Sequence, residues 1–180
     1  MGKLSRFILK LMGWKIIGAL PSTTKKYLVI VAPHTTNWDL IIGLLGRFAQ
    51  EAKINFLAKS QLFFFPLGYL LRALGGVPVD RTKKSNKVEQ VVTLFKESKE
   101  FILGITPEGT RGPVLRWKEG FYHIAVQAAL PIVMIGFDYA TKEIRIKAPF
   151  QPTGDINKDF SQFINFFRTI KGHYPKEIPD

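Results

Sequence analysis

Tyr27-Leu28-Val29-Ile30-Val31-Ala32-Pro33, followed at once by His34-Thr35-Thr36-Asn37-Trp38-Asp39, is the stretch from which the rest of the chain can be read. The first six residues carry no charge, are rich in β-branched side chains and stop at a proline, the pattern of a short buried strand. Thr35 or Thr36 then offers a cap for a helix carrying Trp38, Leu40, Ile41, Leu44 and Leu45. Outward from this unit the same alternation recurs. Strands are expected over residues 54–58, 77–79, 101–106, 132–137 and 144–147. Helices are expected over the Phe-rich segment to about residue 73, over 86–98, over 117–129 and over 160–170. Strands alternating with helices imply an α/β fold, with a mostly parallel central sheet flanked by helices. No internal repeat or low-complexity linker interrupts the 180 residues, so a single domain over 1–180 is expected.

Composition narrows the class. Hydrophobic residues make up 46% and charged residues 22%, which excludes a disordered or fibrous chain. The 26 Lys and Arg outnumber the 14 Asp and Glu for a net charge of +12, which points to an anionic partner: nucleic acid, a lipid surface or a phosphorylated substrate. Cysteine is absent, which rules out disulfides, thiolate metal sites and cysteine nucleophiles. With three histidines and no cysteine, a zinc site would have to lean on carboxylates, and no metal is expected.

The positive charge is concentrated at the start. Lys3, Arg6, Lys10, Lys15, Lys25 and Lys26 face no acidic residue within residues 1–30, and Leu4, Phe7, Ile8, Leu9, Leu11 and Trp14 lie between them. Residues 1–26 therefore read as a basic amphipathic helix at a membrane interface, with packing on the core beneath snorkelling lysines as the other reading. Lysines at 10 and 15 interrupt the apolar part, which is shorter than the ~20 residues a bilayer span needs. A second apolar run, residues 62–71, contains three consecutive phenylalanines that cannot share one helix face, so some should meet a pocket, a partner or lipid, unless the segment is simply a buried helix.

Three segments carry candidate chemistry. His34 follows the first strand directly, at the edge where open α/β sheets bind ligands. Asp39 sits five residues on, where a helix N-terminus favours its anionic form and its carboxylate can hold one imidazole nitrogen, leaving the other to accept a proton. No activated Ser or Cys accompanies the pair, so the proton would come from a substrate hydroxyl. A buried structural histidine beside a helical Asp is the plainer alternative. Thr106-Pro107-Glu108-Gly109-Thr110-Arg111-Gly112 ends another strand, with glycines for close backbone approach, a hydroxyl donor and an arginine able to grip a phosphate. Gly75-Gly76-Val77-Pro78-Val79-Asp80-Arg81 brings a second arginine to the end of a short strand. For both, a polar surface turn is the alternative. His123 reads as packed among apolar residues, His173 as solvated, and Trp117, Phe121 and Tyr122 as core.

In this order and spacing the three segments, together with Leu130-Pro131-Ile132-Val133, resemble the glycerolipid acyltransferase family, the 1-acylglycerol-3-phosphate and lysophospholipid acyltransferases. The resemblance implies that His34 is the general base that deprotonates an acceptor hydroxyl and that Asp39 orients it. It implies a pocket for the acceptor's phosphate made by Arg81, Glu108, Gly109, Thr110 and Arg111, with Lys59 as a further basic contributor. As an anion, Glu108 would hold an arginine or a hydroxyl in place rather than bind phosphate. No cofactor is implied; acyl-CoA or acyl carrier protein is the co-substrate, and a lysophospholipid is the acceptor. The expected location is the cytoplasmic face of a membrane, peripheral or monotopic, against anionic lipid. Alternatives are acylation of another lyso-lipid, such as an amino-acid lipid, or a non-catalytic basic protein binding lipid or nucleic acid. Nucleic acid is disfavoured because the aromatics cluster at 63–65 and 166–167 instead of interleaving with Lys and Arg.

Overall fold

The computed structural model of the protein describes residues 1–79 and 87–179. Asp80 and Arg81 lie outside the described residues. The elements run α1 (Gly2–Leu11), β1 (Lys15–Ile17), β2 (Lys26–Val31), α2 (Trp38–Ala49), β3 (Ile54–Lys59), a 3-10 turn (Ser60–Leu62), α3 (Leu67–Ala73), β4 (Gly76–Val79), α4 (Lys87–Glu97), β5 (Phe101–Ile105), α5 (Gly120–Gln127), β6 (Ile132–Asp138), β7 (Glu143–Ile146) and α6 (Ile156–Phe167). The strands form one seven-stranded sheet in the order β1-β7-β6-β2-β5-β3-β4. Neighbours from β6 across to β4 are parallel, while β7 returns antiparallel beside β6 and β1 runs parallel to β7. The expected mostly parallel α/β sheet is therefore present.

Burial explains why β2 sits in the middle. Tyr27, Leu28, Val29 and Ile30 are all essentially inaccessible, as is every residue of β6, so both strands are covered on both faces. Such strands read as unbroken apolar runs, and each fully buried aliphatic or aromatic side chain contributes roughly 1.5–3 kcal/mol. On one face Leu28, Ile30, Leu103, Ile132 and Met134 pack with Phe95 of α4, Phe121 of α5 and Phe163 and Phe167 of α6. On the other, Tyr27, Val29, Val133, Ile135 and Phe137 pack with Leu9 of α1 and Ile42 and Ala49 of α2. From β2 the chain moves outward to β3 and β4, returns to β5, and then crosses to β6 on the opposite side of β2. The carboxyl end of β2 is thus a topological switch point, where a crevice opens in this class of sheet.

The N-terminal segment departs from the single helix expected over residues 1–26. Helix α1 ends at Leu11, and Gly13 turns the chain with a φ of 79°, in the left-handed region that glycine enters without strain. Residues Lys15, Ile16 and Ile17 then join the sheet edge against Glu143, Ile144 and Arg145. The Phe-rich segment also differs, because Pro66 separates the 3-10 turn from α3 and leaves Phe64 and Phe65 exposed between them. Helix α5 is shorter than expected, and His123 points to solvent beside Glu119 at 3.6 Å; it is not packed among apolar side chains. Trp117, Phe121 and Tyr122 do belong to the core. No helix among the described residues is long and apolar enough to cross a membrane.

Candidate active site

The loop after β2 and the first turn of α2 are held by one carboxylate. Asp39 is 3% exposed, and its Oδ2 accepts hydrogen bonds from His34 Nδ1 at 2.9 Å, from the Thr35 amide at 2.8 Å and from the Thr36 amide at 3.0 Å. Its Oδ1 accepts the Tyr139 hydroxyl at 2.7 Å. Burial opposes ionisation of this carboxyl, but the bonds from His34, Thr36, Tyr139 and Thr35 outweigh it and hold the group below the ordinary aspartate value. An ionised carboxylate is an acceptor only, so Nδ1 carries a proton, and in the neutral ring the lone pair is then on Nε2. The expected threonine cap takes a different form here: Asp39 reaches back to both threonine amides, while Thr36 Oγ1 receives only a long bond from the Trp38 amide at 3.4 Å.

Tyr139 follows β6 and is wedged edge-on between Trp14 and His173, with ring centroids 5.0 Å away on each side. Burial and the hydrogen bond to Asp39 push its phenol well above the ordinary range, so it remains a donor. His173, though exposed, therefore lies against the site and not free in solvent.

The turn after β5 lies directly beside this loop. Glu108 is 1% exposed and its Oε2 accepts the His34 backbone amide at 2.7 Å. Its Oε1 lies 3.0 Å from Lys176 Nζ, as an ion pair without the alignment of a hydrogen bond. Burial pushes the Glu108 carboxyl above its ordinary value, with the His34 amide and Lys176 pulling the other way. The partners of Glu108 are thus a backbone amide and a lysine, not the arginine or hydroxyl expected from sequence. Gly109, Thr110 and Arg111 are exposed at the tip of the turn. Lys118 overhangs this tip, its Nζ 2.7 Å from where a Cβ on Gly109 would stand. That lysine adds a second cation beside Arg111.

The structure therefore brings His34, Asp39, Glu108, Gly109, Thr110 and Arg111 to one end of the sheet. Lys59 ends β3 on the same carboxyl edge, exposed and two strands away from β2. Arg81 lies outside the described residues. Sequence reasoning missed Tyr139, Lys118 and Lys176; for Lys118 the closeness to the 106–112 turn along the chain was an available signal. No group of three or more potential metal-ligating side chains occurs among the described residues. Several large apolar side chains are exposed: Trp38, Leu40 and Ile41 on α2, Leu4, Phe7 and Leu11 on α1, and Phe64, Phe65, Tyr69 and Leu70 around α3.

Comparison with known proteins places this chain among relatives. Residues 15–138 match the family model described as acyltransferase. The 1-acyl-sn-glycerol-3-phosphate acyltransferase of Escherichia coli is 26% identical over 144 residues, covering 76% of this chain and 58% of that protein. The human 1-acyl-sn-glycerol-3-phosphate acyltransferase beta is 30% identical over 134 residues, covering 71% of this chain and 47% of that protein. The chain thus spans about half the length of the curated relatives it matches. Among solved structures, the 1-acyl-sn-glycerophosphate acyltransferase PlsC of Thermotoga maritima has the same fold, with a TM-score of 0.63 at 18% identity over 93% of this chain and 75% of that one.

Proposed function

The chain belongs to the acyltransferase family, and from that premise we propose that it transfers a fatty acyl group from an acyl thioester to the hydroxyl of a lysophospholipid such as 1-acylglycerol-3-phosphate. The observation that carries this reading is the closed geometry around His34. Asp39 binds Nδ1 and Glu108 binds the His34 amide, which leaves Nε2 as the ring nitrogen available to a substrate at the carboxyl end of β2. His34 is 20% exposed, enough for a substrate oxygen to reach it. In this reading Nε2 takes the proton as the acceptor oxygen attacks the thioester carbonyl. The carbon–oxygen bond forms, the carbon–sulfur bond breaks, and the proton passes from the imidazolium to the departing thiolate. General-base assistance of this kind contributes about 10²–10⁴ in rate.

Arg111 and Lys118 at the tip of the 106–112 turn would hold the acceptor's phosphate, with Gly109 and Thr110 allowing close backbone approach and Lys59 adding charge at the same edge; Arg81 is proposed as a further contributor from the sequence alone. The donor is acyl-CoA or acyl carrier protein; both are acidic and suit a chain of net charge +12. The exposed apolar side chains support peripheral attachment to an anionic lipid surface, with Lys3, Arg6 and Lys10 of α1 in the same helix as Leu4, Phe7 and Leu11; the cytoplasmic face is part of the same proposal. The same exposed apolar side chains argue for lipid over nucleic acid as the anionic partner.

The test is thiol release from a long-chain acyl-CoA, and from acyl carrier protein, in detergent or liposomes across a set of lyso-lipids. Wild type should release thiol only when an acceptor is present, and His34→Ala should lose that release with its circular dichroism unchanged. Acceptor-dependent release that survives in His34→Ala would refute the base assignment. No release with either donor would refute the transferase reading.

A further inference from the structure

The segment after α6 lies beyond the family-matched span of residues 15–138, yet it runs along the side of the site. The Tyr139 amide donates to Lys171 O at 2.8 Å. Gly172 passes so close to the His34 loop that a Cβ there would stand 2.7 Å from Thr35 Cγ2, which leaves room only for glycine. The His173 amide donates to Thr35 Oγ1 at 3.1 Å. Lys176 then turns inward, its side chain 3% exposed.

This ammonium donates two hydrogen bonds and makes one ion pair. Lys176 Nζ donates to His34 O at 3.0 Å and to Thr110 O at 3.1 Å, and pairs with Glu108 Oε1 at 3.0 Å. The two carbonyls belong to different loops, one after β2 and one after β5. Because Glu108 Oε2 takes the His34 amide, both backbone polar groups of His34 are held, one by Glu108 and one by Lys176, and these two hold each other. A buried ammonium persists only where it is fully paired, so the geometry of the two loops and the place of Lys176 determine one another.

We infer that Lys176 is a positioning residue: its ammonium ties the His34 loop to the 106–112 turn and sets the spacing between the proton acceptor and the anion-binding tip. The consequence for catalysis rests on the acyltransferase reading; the tie itself does not. Lysine suits the task because its charge is compact and its donors diverge from one atom, whereas the larger guanidinium of arginine keeps its donors in one plane.

The experiment compares wild type, Lys176→Met, Lys176→Arg and the double variant Glu108→Gln/Lys176→Met by hydrogen–deuterium exchange and by steady-state kinetics. The double variant guards against misfolding in Lys176→Met, because it removes the orphaned carboxylate and keeps an oxygen for the His34 amide. In wild type the amides of His34, Thr35, Thr36 and Gly109 are all bonded and should exchange slowly. Without the ammonium, exchange in peptides spanning 33–40 and 106–112 should rise at least about tenfold while β6 and α5 stay protected. The acceptor KM should rise and kcat fall, each by about tenfold, with arginine restoring less than half of either loss. A lesion that only lowers the folded fraction would reduce kcat and leave KM alone. Unchanged exchange in either loop overturns the tie. Raised exchange with wild-type kinetic constants overturns the positioning role. Raised exchange in a protein whose wild type transfers no acyl group upholds the tie and refutes the acyltransferase reading.

Discussion

Replacing Asp39 by Asn isolates the charge beside His34 from the shape that carries it. The asparagine carbonyl can occupy the place of Oδ2, against His34 Nδ1 and the amides of Thr35 and Thr36, while its NH2 takes the place of Oδ1, where the Tyr139 hydroxyl can rotate to accept. The fold should therefore survive. What is lost is the attraction between a buried carboxylate and the imidazolium that would form as the acceptor hydroxyl is deprotonated in the proposed reaction. With charge centres about 4 Å apart and an effective dielectric of about 20, that attraction is roughly 4 kcal/mol. The amide dipole of Asn returns part of it, and each ~1.4 kcal/mol is tenfold in rate, so kcat should fall about 10²–10³-fold. Both KM values should stay within about threefold, since the loss is confined to the transition state. The assay is acceptor-dependent thiol release at saturating donor, with near-ultraviolet circular dichroism to confirm packing. A kcat within about tenfold of wild type would refute the claim that the Asp39 charge assists His34.

Tyr139→Phe removes one donor from the same carboxylate and should cost about 1.5–3 kcal/mol of stability, read as a lowered denaturant midpoint with an unchanged slope; an unchanged midpoint would show that Asp39 Oδ1 finds another donor. Because the Asp39 carboxyl is held below its ordinary value of 3.8, its contribution to stability is present above that pH and lost as pH falls through the lower folded-state value. Melting temperature should accordingly drop more steeply below about pH 4 in wild type than in Asp39→Asn, and parallel curves would contradict the direction of the shift. Phe7→Glu, on the exposed face of α1, should leave the melting temperature within a few degrees and weaken flotation with anionic liposomes several-fold. Equal flotation would remove α1 from the lipid-facing surface.

The readable parts of this chain are those where chemistry is contiguous. His34 and Asp39 are five residues apart, and Glu108 to Arg111 are consecutive, so both motifs could be recognised before any fold was known. The buried strands were legible because a strand covered on both faces needs an unbroken apolar run, as in β2 and β6. The second layer of the site was not legible, since Tyr139 meets Asp39 across 100 positions and Lys176 meets His34 across 142. Each sits in sequence surroundings that suit an ordinary surface residue. Only the order of strands brings them together. The overrun of the first helix had a visible cause in Gly13, whose left-handed turn precedes an edge strand of three residues too short to carry a periodic signal. His123 was misread because its neighbours in sequence are core residues, although at helical spacing it lies on the face opposite Phe121 and Ala125.

The disposition of acids around His34 also bears on which group would take a proton from substrate in the proposed reaction. Two buried carboxylates lie within reach of the site, and either would be a reasonable base on composition alone. Asp39 has four donors on its two oxygens, and its environment favours the anion, which makes it a poor proton acceptor. Glu108 has the more basic carboxyl, but one oxygen bears the His34 amide, the other faces the Lys176 ammonium, and the side chain is inaccessible. Protonating it from substrate would require opening the tie that holds the two loops together. The imidazole Nε2 is the remaining basic atom, and of the three side chains only that of His34 is partly exposed. Both acids are thus committed to holding one histidine, and under the proposed function Arg111 and Lys118 at the tip of the turn would bind charge. A phosphate-bearing alcohol is the acceptor that this division of roles suits.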